Sequence, residues 1–355
     1  MQTKKYNGNI EVIRYFLALA VVTVHFQDYI YGTEVFVPGA HLTVDFFFVI
    51  SGFFMARSLK KNPDPFIYTF NKWGGMFWIY EGALLLAVII NGNLSLSETV
   101  TWLLRCIPEY FGLQLIGFFR MLHPLFWYIS AMLIGSFVIA VLHYVLDEKH
   151  FKAVLAFIIL AGYALVYHLN GDMDAAVADG KFFIPLPVVR GTASISLGII
   201  TGWTAERLKD SKLWAEKKYR VLNSVLDGII IILFIYFALP KAYTYYDYYC
   251  LLLIPVIMIY AANGNTLWSE VSNRIGNGLT GIFGKQFTLA FYCFSGSICV
   301  LLGRIVSLGS MNPWKAFGFF LLIHTAVSFL LSKLNDVLTA RFPIRIQNRT
   351  AINQP

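Results

Sequence analysis

Residues 10–30 read IEVIRYFLALAVVTVHFQDYI, an apolar stretch that contains Arg14 and His25. A helix of about 20 mostly apolar residues spans the hydrocarbon core of a bilayer. Ten stretches of the chain are long and apolar enough to cross as helices: 10–30, 42–60, 74–91, 124–146, 151–169, 188–206, 221–239, 247–262, 284–308 and 314–333. The sequence therefore predicts an all-α polytopic integral membrane protein with about ten transmembrane helices.

The composition excludes a water-soluble globular protein. Of the 355 residues, 57% are hydrophobic and only 14% are charged, and the mean hydropathy is +0.63. Soluble chains carry roughly 25% charged residues, which cover a surface that faces water. The net charge of +8 comes from basic residues in short loops between apolar stretches, so we predict no nucleic-acid partner.

The distribution of basic residues predicts the orientation of the chain. If the N-terminus is cytoplasmic and ten stretches cross, the inner loops carry 19 Lys and Arg residues and the outer segments carry 5. Positive charge concentrates in the cytoplasmic loops of membrane proteins. We therefore predict that both termini are cytoplasmic and that residues 1–355 form a single domain in the cell (plasma) membrane.

One further apolar stretch, residues 97–118, is predicted not to cross. It reads SETVTWLLRCIPEYFGLQLIGF and carries Arg105, Pro108 and Glu109 in its middle, where charge exposed to lipid is costly. A crossing here would also move the basic loop 207–220 to the outer side. We predict an interfacial or re-entrant element on the outer side.

Arg14 and His25 are predicted to lie on one face of the first helix. They are eleven residues apart, which is close to a whole number of helical turns and separates them by roughly 16 Å along the axis. Ionisable residues within a membrane are functional candidates. We infer a shared polar cavity; the alternative is an interfacial anchor at Arg14 and a hydrogen-bonded interior histidine at His25.

Asp45 is predicted to lie beside His25. It is near the start of the second helix, in HLTVDFFFVISGFF (41–54), at a depth similar to that of His25, and the short loop makes the two helices neighbours. A carboxylate beside a histidine fixes its tautomer and raises its basicity. We therefore predict that Asp45 orients His25, with Asp28 as a competing candidate.

Cations are predicted at the inner ends of the first three helices. Arg14, Arg57 and Lys72 lie there, and arginine and lysine are the usual donors to phosphate. They would form a cationic mouth for a cytoplasmic polyanion. The alternative is a set of anchors that only follow the positive-inside rule.

Arginine and aromatic residues are predicted at the outer ends of later helices. Arg190 begins one of these helices, and Trp127 and Tyr128 begin another. Aromatic side chains at this level usually form an interfacial belt. Together with arginine they are also suited to bind sugars or anionic headgroups, so we predict a substrate-binding role for these three residues.

Two motifs resemble those of membrane-bound acyltransferase family 3, whose bacterial members O-acylate cell-surface glycans. EVIRYFLALAVVTVH (11–25) resembles the family's Arg-x10-His helix, and VDFFFVISGFF (44–54) follows at the expected distance. Weaker similarity extends to PLFWYISAMLIG (124–135) and RGTASISLGIITG (190–202). The resemblance implies a membrane O-acyltransferase, and ten spans with both termini inside agree with it.

The resemblance also implies roles for individual residues. His25 becomes the catalytic histidine, Arg14 its partner in the motif and Asp45 part of the second motif. The donor would be a cytoplasmic acyl-CoA, with acetyl-CoA expected, bound by Arg14, Arg57 and Lys72; no metal is expected. The acceptor would be a hydroxyl of a sugar or lipid-linked glycan at the outer face, and membrane lipid surrounds the protein.

The chain departs from the family pattern in two places. Members often carry an Arg-x-x-Arg pair and a proline after the second helix, where FNKWGGMFW (70–78) offers Lys72 and Gly75. Near the C-terminus, where Tyr-x-x-His is frequent, the chain reads FYCFSG (291–296) with Ser295. A non-catalytic subunit of a polysaccharide synthesis complex therefore stays open as an alternative. A second alternative is a transporter or flippase for a lipid-linked polysaccharide, in which Arg14, Arg190 and Arg304 bind phosphate along a pathway.

Overall fold

The fold is a bundle of helices. A computed structural model describes residues 7–33, 36, 40–61, 64–90, 96–105, 107–115, 124–174, 184–238 and 245–346, and this part of the chain contains no strand. The helices are α1 Gly8–Ile30, α2 Leu42–Lys61, α3 Pro65–Gly74, α4 Phe77–Ile90, α5 Leu96–Arg105, α6 Ile107–Tyr110, α7 Trp127–Val145, α8 Glu148–Asn170, α9 Leu186–Leu208, α10 Lys212–Ala215, α11 Arg220–Ala238, α12 Tyr245–Asn263, α13 Ser269–Phe283, α14 Phe287–Cys293, α15 Ser295–Val306 and α16 Pro313–Arg341.

Seven helices of the described part are long and apolar enough to cross a membrane. The number rises to nine if each of two bent pairs is one span, α3 with α4 at 56° and α14 with α15 at 51°. Large apolar side chains cover the outside of the bundle, such as Leu160 on α8 and Leu322 on α16. Such a surface suits lipid, and the chain is a multi-pass membrane protein; the count of ten and the orientation stay predictions.

The predicted span that is missing from these nine, residues 188–206, corresponds to α9, which is too polar to count among the apolar helices. It packs against α2, α7, α8 and α12, and Arg190, Ser194 and Ser196 are buried within it. Because protein rather than lipid surrounds this helix, it does not need an apolar surface along its length. Its polarity reflects its central position.

Two glycines bring α2 and α9 into backbone contact. A Cβ at Gly52 would lie 2.0 Å from the carbonyl oxygen of Ile195, and one at Gly198 would lie 2.1 Å from that of Val49. Small residues allow this close approach between membrane helices. The contact fixes α9 against α2, the helix that lines the candidate site.

We expect Gly198→Ala to destabilise the protein by about 1–3 kcal/mol, because the added methyl group must push the two backbones apart. The measurement is the thermal unfolding midpoint of the purified protein in detergent. Gly318→Ala on α16 is the matched control, since no atom lies within 4 Å of its added Cβ. Equal midpoints for the two variants would contradict this packing.

The segment predicted to be interfacial or re-entrant contains two short helices, α5 and α6. The ten residues of α5 extend roughly 15 Å, about half the thickness of the hydrocarbon core. Tyr80 of α4 donates a hydrogen bond to the backbone carbonyl of the buried Glu109, which attaches α6 to the bundle. Residues 116–118 of this segment lie outside the described residues.

Candidate functional site

A cavity of about 840 Å³ lies between α1, α2, α3, α7 and α14. Its lining residues on α2 extend from Val44 to Lys61, roughly 26 Å along the helix axis. Binding pockets for small molecules usually enclose about 300–1,000 Å³. The cavity can therefore hold one extended small molecule along most of the thickness of the bundle.

One end of this cavity is cationic. Arg14, Lys61, Lys72 and Arg345 line it, and no acidic side chain is among the lining residues of the described part. Arg14 bonds to Glu11 at 3.0 and 3.1 Å and donates to the Thr288 hydroxyl at 3.1 Å. Basic side chains without acidic neighbours in the lining favour an anionic ligand. That Arg14 and Lys72 bind one stays a prediction.

Lys72 is held by hydroxyl groups rather than by a carboxylate. Its Nζ donates to Ser51 Oγ at 2.6 Å and to Ser136 Oγ at 2.8 Å. Both acceptors are neutral, so they orient the ammonium group without cancelling its charge. Ser51 and Ser136 therefore fix the position of the Lys72 side chain at the cavity.

His25 does not itself line the cavity; it lies beside the lining residue Tyr292 and contacts the α14–α15 pair. Its Nδ1 lies 2.7 Å from Ser295 Oγ, and Ser295 Oγ donates to the Tyr292 carbonyl at 2.7 Å. A hydroxyl has a single proton, so Ser295 accepts the bond from Nδ1–H. In that arrangement the neutral imidazole carries its proton on Nδ1.

Tyr292 connects His25 to the cavity. Its ring centroid lies 5.6 Å from that of His25 and 5.7 Å from that of Tyr128, and both tyrosines line the cavity. The Tyr292 hydroxyl donates to the backbone carbonyl of Leu125, which fixes the ring. The Tyr292 ring therefore lines the cavity and also packs on His25.

The bend between α14 and α15 positions these contacts. The predicted span 284–308 is broken here, and α15 begins at Ser295 immediately after the C-cap of α14, Phe294. At this break the Ser295 hydroxyl bonds the Tyr292 carbonyl, three residues earlier in the chain. Arg14 also contacts this pair through Thr288, so both residues of the Arg-x10-His motif face the same element.

The predicted pairing of Asp45 with His25 is corrected by the structure. Asp45 is fully buried, and its carboxylate accepts from Arg190 at 2.6–3.2 Å and from Ser194 Oγ at 2.9 Å. Ser295 takes the position beside His25 instead. The physical reason is charge: the Arg190 guanidinium compensates a buried carboxylate fully, which a neutral imidazole cannot do.

Arg190 and Trp127, two predicted substrate-binding residues, meet inside the protein. Arg190 is fully buried, and its guanidinium carbon lies 5.7 Å from the centroid of the Trp127 ring. The carboxylate of Asp45 and the indole ring together hold the cation. Tyr128, in contrast, lines the cavity and packs on Phe48 at 4.6 Å.

Arg57 does not join the cationic end of the cavity. Its Nε donates to Glu206 of α9 at 2.7 Å, and the side chain is 60% exposed. Arg57 is absent from the lining of the cavity that Arg14 and Lys72 share. The predicted triad of cations is therefore corrected to a pair, because an acidic partner on a neighbouring helix holds the third member.

Sequence reasoning missed two residues of this site. The sequence shows Ser295 only as a departure from Tyr-x-x-His, and no local pattern relates it to His25, 270 residues away. Arg345, 331 positions after Arg14 in the chain, lies beyond the last predicted span and gave no local signal. Its contribution depends on how the C-terminal segment folds back.

Comparison with known proteins identifies the chain at the level of a family. A family model described as an acyltransferase domain matches residues 7–333, which is most of the chain and includes His25, Asp45 and Ser295. No curated protein and no solved structure matches the sequence.

Proposed function

Because the chain belongs to acyltransferase family 3 and is a multi-pass membrane protein, we propose that it transfers an acetyl group from cytoplasmic acetyl-CoA to a hydroxyl of a glycan at the outer face of the cell membrane. One observation carries the proposal. A single cavity extends from the cations at Arg14 and Lys72 to Tyr292, whose ring packs on His25. This arrangement suits a long donor with phosphates at one end and a reactive thioester at the other.

The donor would bind with its phosphates at the cationic end. Arg14 and Lys72 offer N–H donors there, and Lys72 has only neutral hydroxyl partners in the described part of the chain. This end of the cavity lies beside the N-terminal half of α1 and extends from the middle of α2, at Ser51, to its C-terminal end. The positive-inside distribution predicts that this side faces the cytoplasm. The thioester would then extend toward Tyr292 and His25.

His25 would act as the general base. Its Nε2 takes the proton of the acceptor hydroxyl while the oxygen attacks the thioester carbonyl; the carbon–sulfur bond then breaks, and the proton passes from Nε2 to the thiolate. Ser295 keeps the imidazole in the required tautomer through Nδ1. The Tyr128 hydroxyl donates a weak hydrogen bond to the Met132 sulfur at 3.8 Å, and it would donate to the carbonyl oxygen instead once the donor is bound.

A covalent acetyl-histidine is the other route through the same residues. In that route Nε2 attacks the thioester carbonyl, and the carbon–sulfur bond breaks to release the CoA thiolate. The acceptor hydroxyl then attacks the acetyl-imidazole, the carbon–nitrogen bond breaks to free His25, and the hydroxyl proton passes to the thiolate. Incubation with acetyl-CoA alone followed by mass spectrometry separates the two routes. An acetylated peptide that contains His25 supports the covalent route. The absence of this peptide, in a sample that transfers acetyl groups once glycan is added, supports direct transfer.

The test of the proposed function uses the full chain in lipid nanodiscs with radiolabelled acetyl-CoA and candidate glycans. We expect label on the glycan and stoichiometric release of CoA. Acetyl-CoA binding without transfer to any glycan would favour the non-catalytic subunit. Glycan translocation without acetyl-CoA dependence would favour the transporter, and either result would reject the acetyltransferase.

We expect Ser295→Ala to lower kcat roughly five- to tenfold, because Nδ1 loses the acceptor that fixes the tautomer of His25. The KM for acetyl-CoA should stay unchanged, since the phosphates bind near Arg14. Ser328→Ala is the matched control, because Ser328 is also fully buried and its Oγ has no partner among the described residues. A rise in KM without a fall in kcat would contradict a positioning role.

A further inference from the structure

The segment 342–346, which follows α16, folds back onto α3. Both backbone groups of Ile346 pair with the side chain of Asn71: Asn71 Nδ2 donates to the Ile346 carbonyl at 3.1 Å, and the Ile346 N–H donates to Asn71 Oδ1 at 2.8 Å. Trp78 Nε1 donates to the Phe342 carbonyl at 3.2 Å. A side-chain amide that bonds both the N–H and the C=O of one residue holds the backbone of that residue in place, as a neighbouring β-strand does.

Gly74, the last residue of α3, completes this attachment. A Cβ at Gly74 would lie 2.0 Å from the Ile344 carbonyl oxygen, a separation that no side chain allows. The backbones of α3 and of the segment 342–346 are therefore in direct contact. Three separate contacts, at Asn71, Gly74 and Trp78, hold the segment in one position.

This position brings Arg345 to the cationic end of the cavity, where it lines the same space as Arg14, Lys61 and Lys72. No carboxylate in the described part of the chain pairs with Arg345, whereas Arg14 is paired with Glu11. Its charge is consequently available to a ligand. The residue lies outside the range 7–333 that the family model matches.

We propose that Arg345 binds the nucleotide phosphates of the acyl-CoA donor, a role that rests on the proposed function. A guanidinium at the exposed end of the cavity suits the outermost part of the donor, its phosphorylated ADP moiety, when the thioester lies deeper near His25. The segment after α2 that, by the resemblance, often carries a pair of arginines offers Lys72 as its one cation here, with Gly75 three positions later. Arg345 supplies from the C-terminal segment a cation that this position lacks.

The test compares Arg345→Gln with Arg341→Gln, which removes the same charge from an arginine that does not line the cavity. Binding is measured by titration of the full chain in nanodiscs with acetyl-CoA and with S-acetylpantetheine, which has the thioester but no phosphate. We expect Arg345→Gln to weaken acetyl-CoA binding roughly three- to tenfold and to leave S-acetylpantetheine binding unchanged. Arg341→Gln should leave both unchanged.

Dephospho-acetyl-CoA shows which phosphate is bound. If Arg345 contacts the ribose phosphate, Arg345→Gln and the wild type bind this donor equally. If it contacts the diphosphate, the variant binds it more weakly by the same factor as acetyl-CoA. Both results support the proposal.

A second pair of variants tests the attachment of the segment without removing the arginine. Gly74→Ala should weaken acetyl-CoA binding as Arg345→Gln does, because its methyl group displaces Ile344. Gly75→Ala is the control, since the nearest atoms to its added Cβ lie at 3.5 Å. Gly75→Ala should bind acetyl-CoA like the wild type.

The outcomes separate this proposal from the proposed function. If the wild type does not bind acetyl-CoA, the proposed donor is wrong and the role of Arg345 is rejected with it. If the wild type binds acetyl-CoA and Arg345→Gln binds it equally well, only the role of Arg345 is rejected. An equal loss of binding for S-acetylpantetheine would also reject it, because that donor has no phosphate to contact.

Discussion

Replacing His25 by alanine is expected to lower the rate of acetyl transfer by about a hundred- to ten-thousandfold, the contribution of a well-placed general base. The variant should still bind acetyl-CoA with wild-type affinity. Its cationic contacts begin at Arg14, roughly 16 Å away along α1, and do not involve the imidazole. The measurement is the initial rate of label transfer in nanodiscs, with acetyl-CoA affinity measured on the same samples.

The control for this variant is His168→Ala, which removes an exposed histidine at the last turn of α8. We expect its transfer rate to equal that of the wild type. If His25→Ala kept most of the wild-type rate, the imidazole could be neither base nor nucleophile. If it lost transfer and acetyl-CoA binding together, the loss would reflect the structure of the site rather than its chemistry.

Breaking the buried ion pair between Asp45 and Arg190 is expected to destabilise the protein by about 3–5 kcal/mol, since removal of one partner leaves an uncompensated charge inside the bundle. Arg190→Met should therefore lower the thermal unfolding midpoint in detergent strongly. The double variant Asp45→Leu with Arg190→Met should recover much of the loss, because neither charge is then left alone.

Arg57→Met provides the matched comparison for this pair. Arg57 and Glu206 form an ion pair of similar length, but their side chains are 60% and 36% exposed. Exposed pairs contribute about 0–1 kcal/mol, so Arg57→Met should shift the midpoint only slightly. Similar shifts for Arg57→Met and Arg190→Met would show that burial of the Asp45 pair does not matter to stability.

Local patterns predicted most of the helices correctly. Continuous apolar runs such as 151–169 and 314–333 carry their own signal, since a helix in lipid must be apolar over its length. This requirement does not hold for a helix that is surrounded by protein rather than lipid. The stretch 188–206 is predicted to be a span, but α9 is too polar to count among the helices that could cross a membrane. The apolar pattern also misses the break at Ser295, because a bend within an apolar run leaves its hydropathy unchanged.

The candidate site could be predicted only in part. Arg14 and His25 are close in sequence, so helical periodicity alone placed them on one face, and both contact the α14–α15 pair. The partners of the site are remote: Ser295 is 270 residues from His25, and Arg190 is 145 residues from Asp45. No periodicity relates such positions, so helix packing decides which of several polar residues meet.

The most direct test of the account is a cryo-electron microscopy structure of the full chain in nanodiscs with a non-hydrolysable acetyl-CoA analogue. We expect the phosphates beside Arg14, Lys72 and Arg345, and the carbon that replaces the thioester carbonyl within roughly 5 Å of His25 Nε2, which leaves room for one hydroxyl oxygen between them. An analogue bound in another part of the bundle, or bound here with its acyl end directed away from His25, would contradict the central claim.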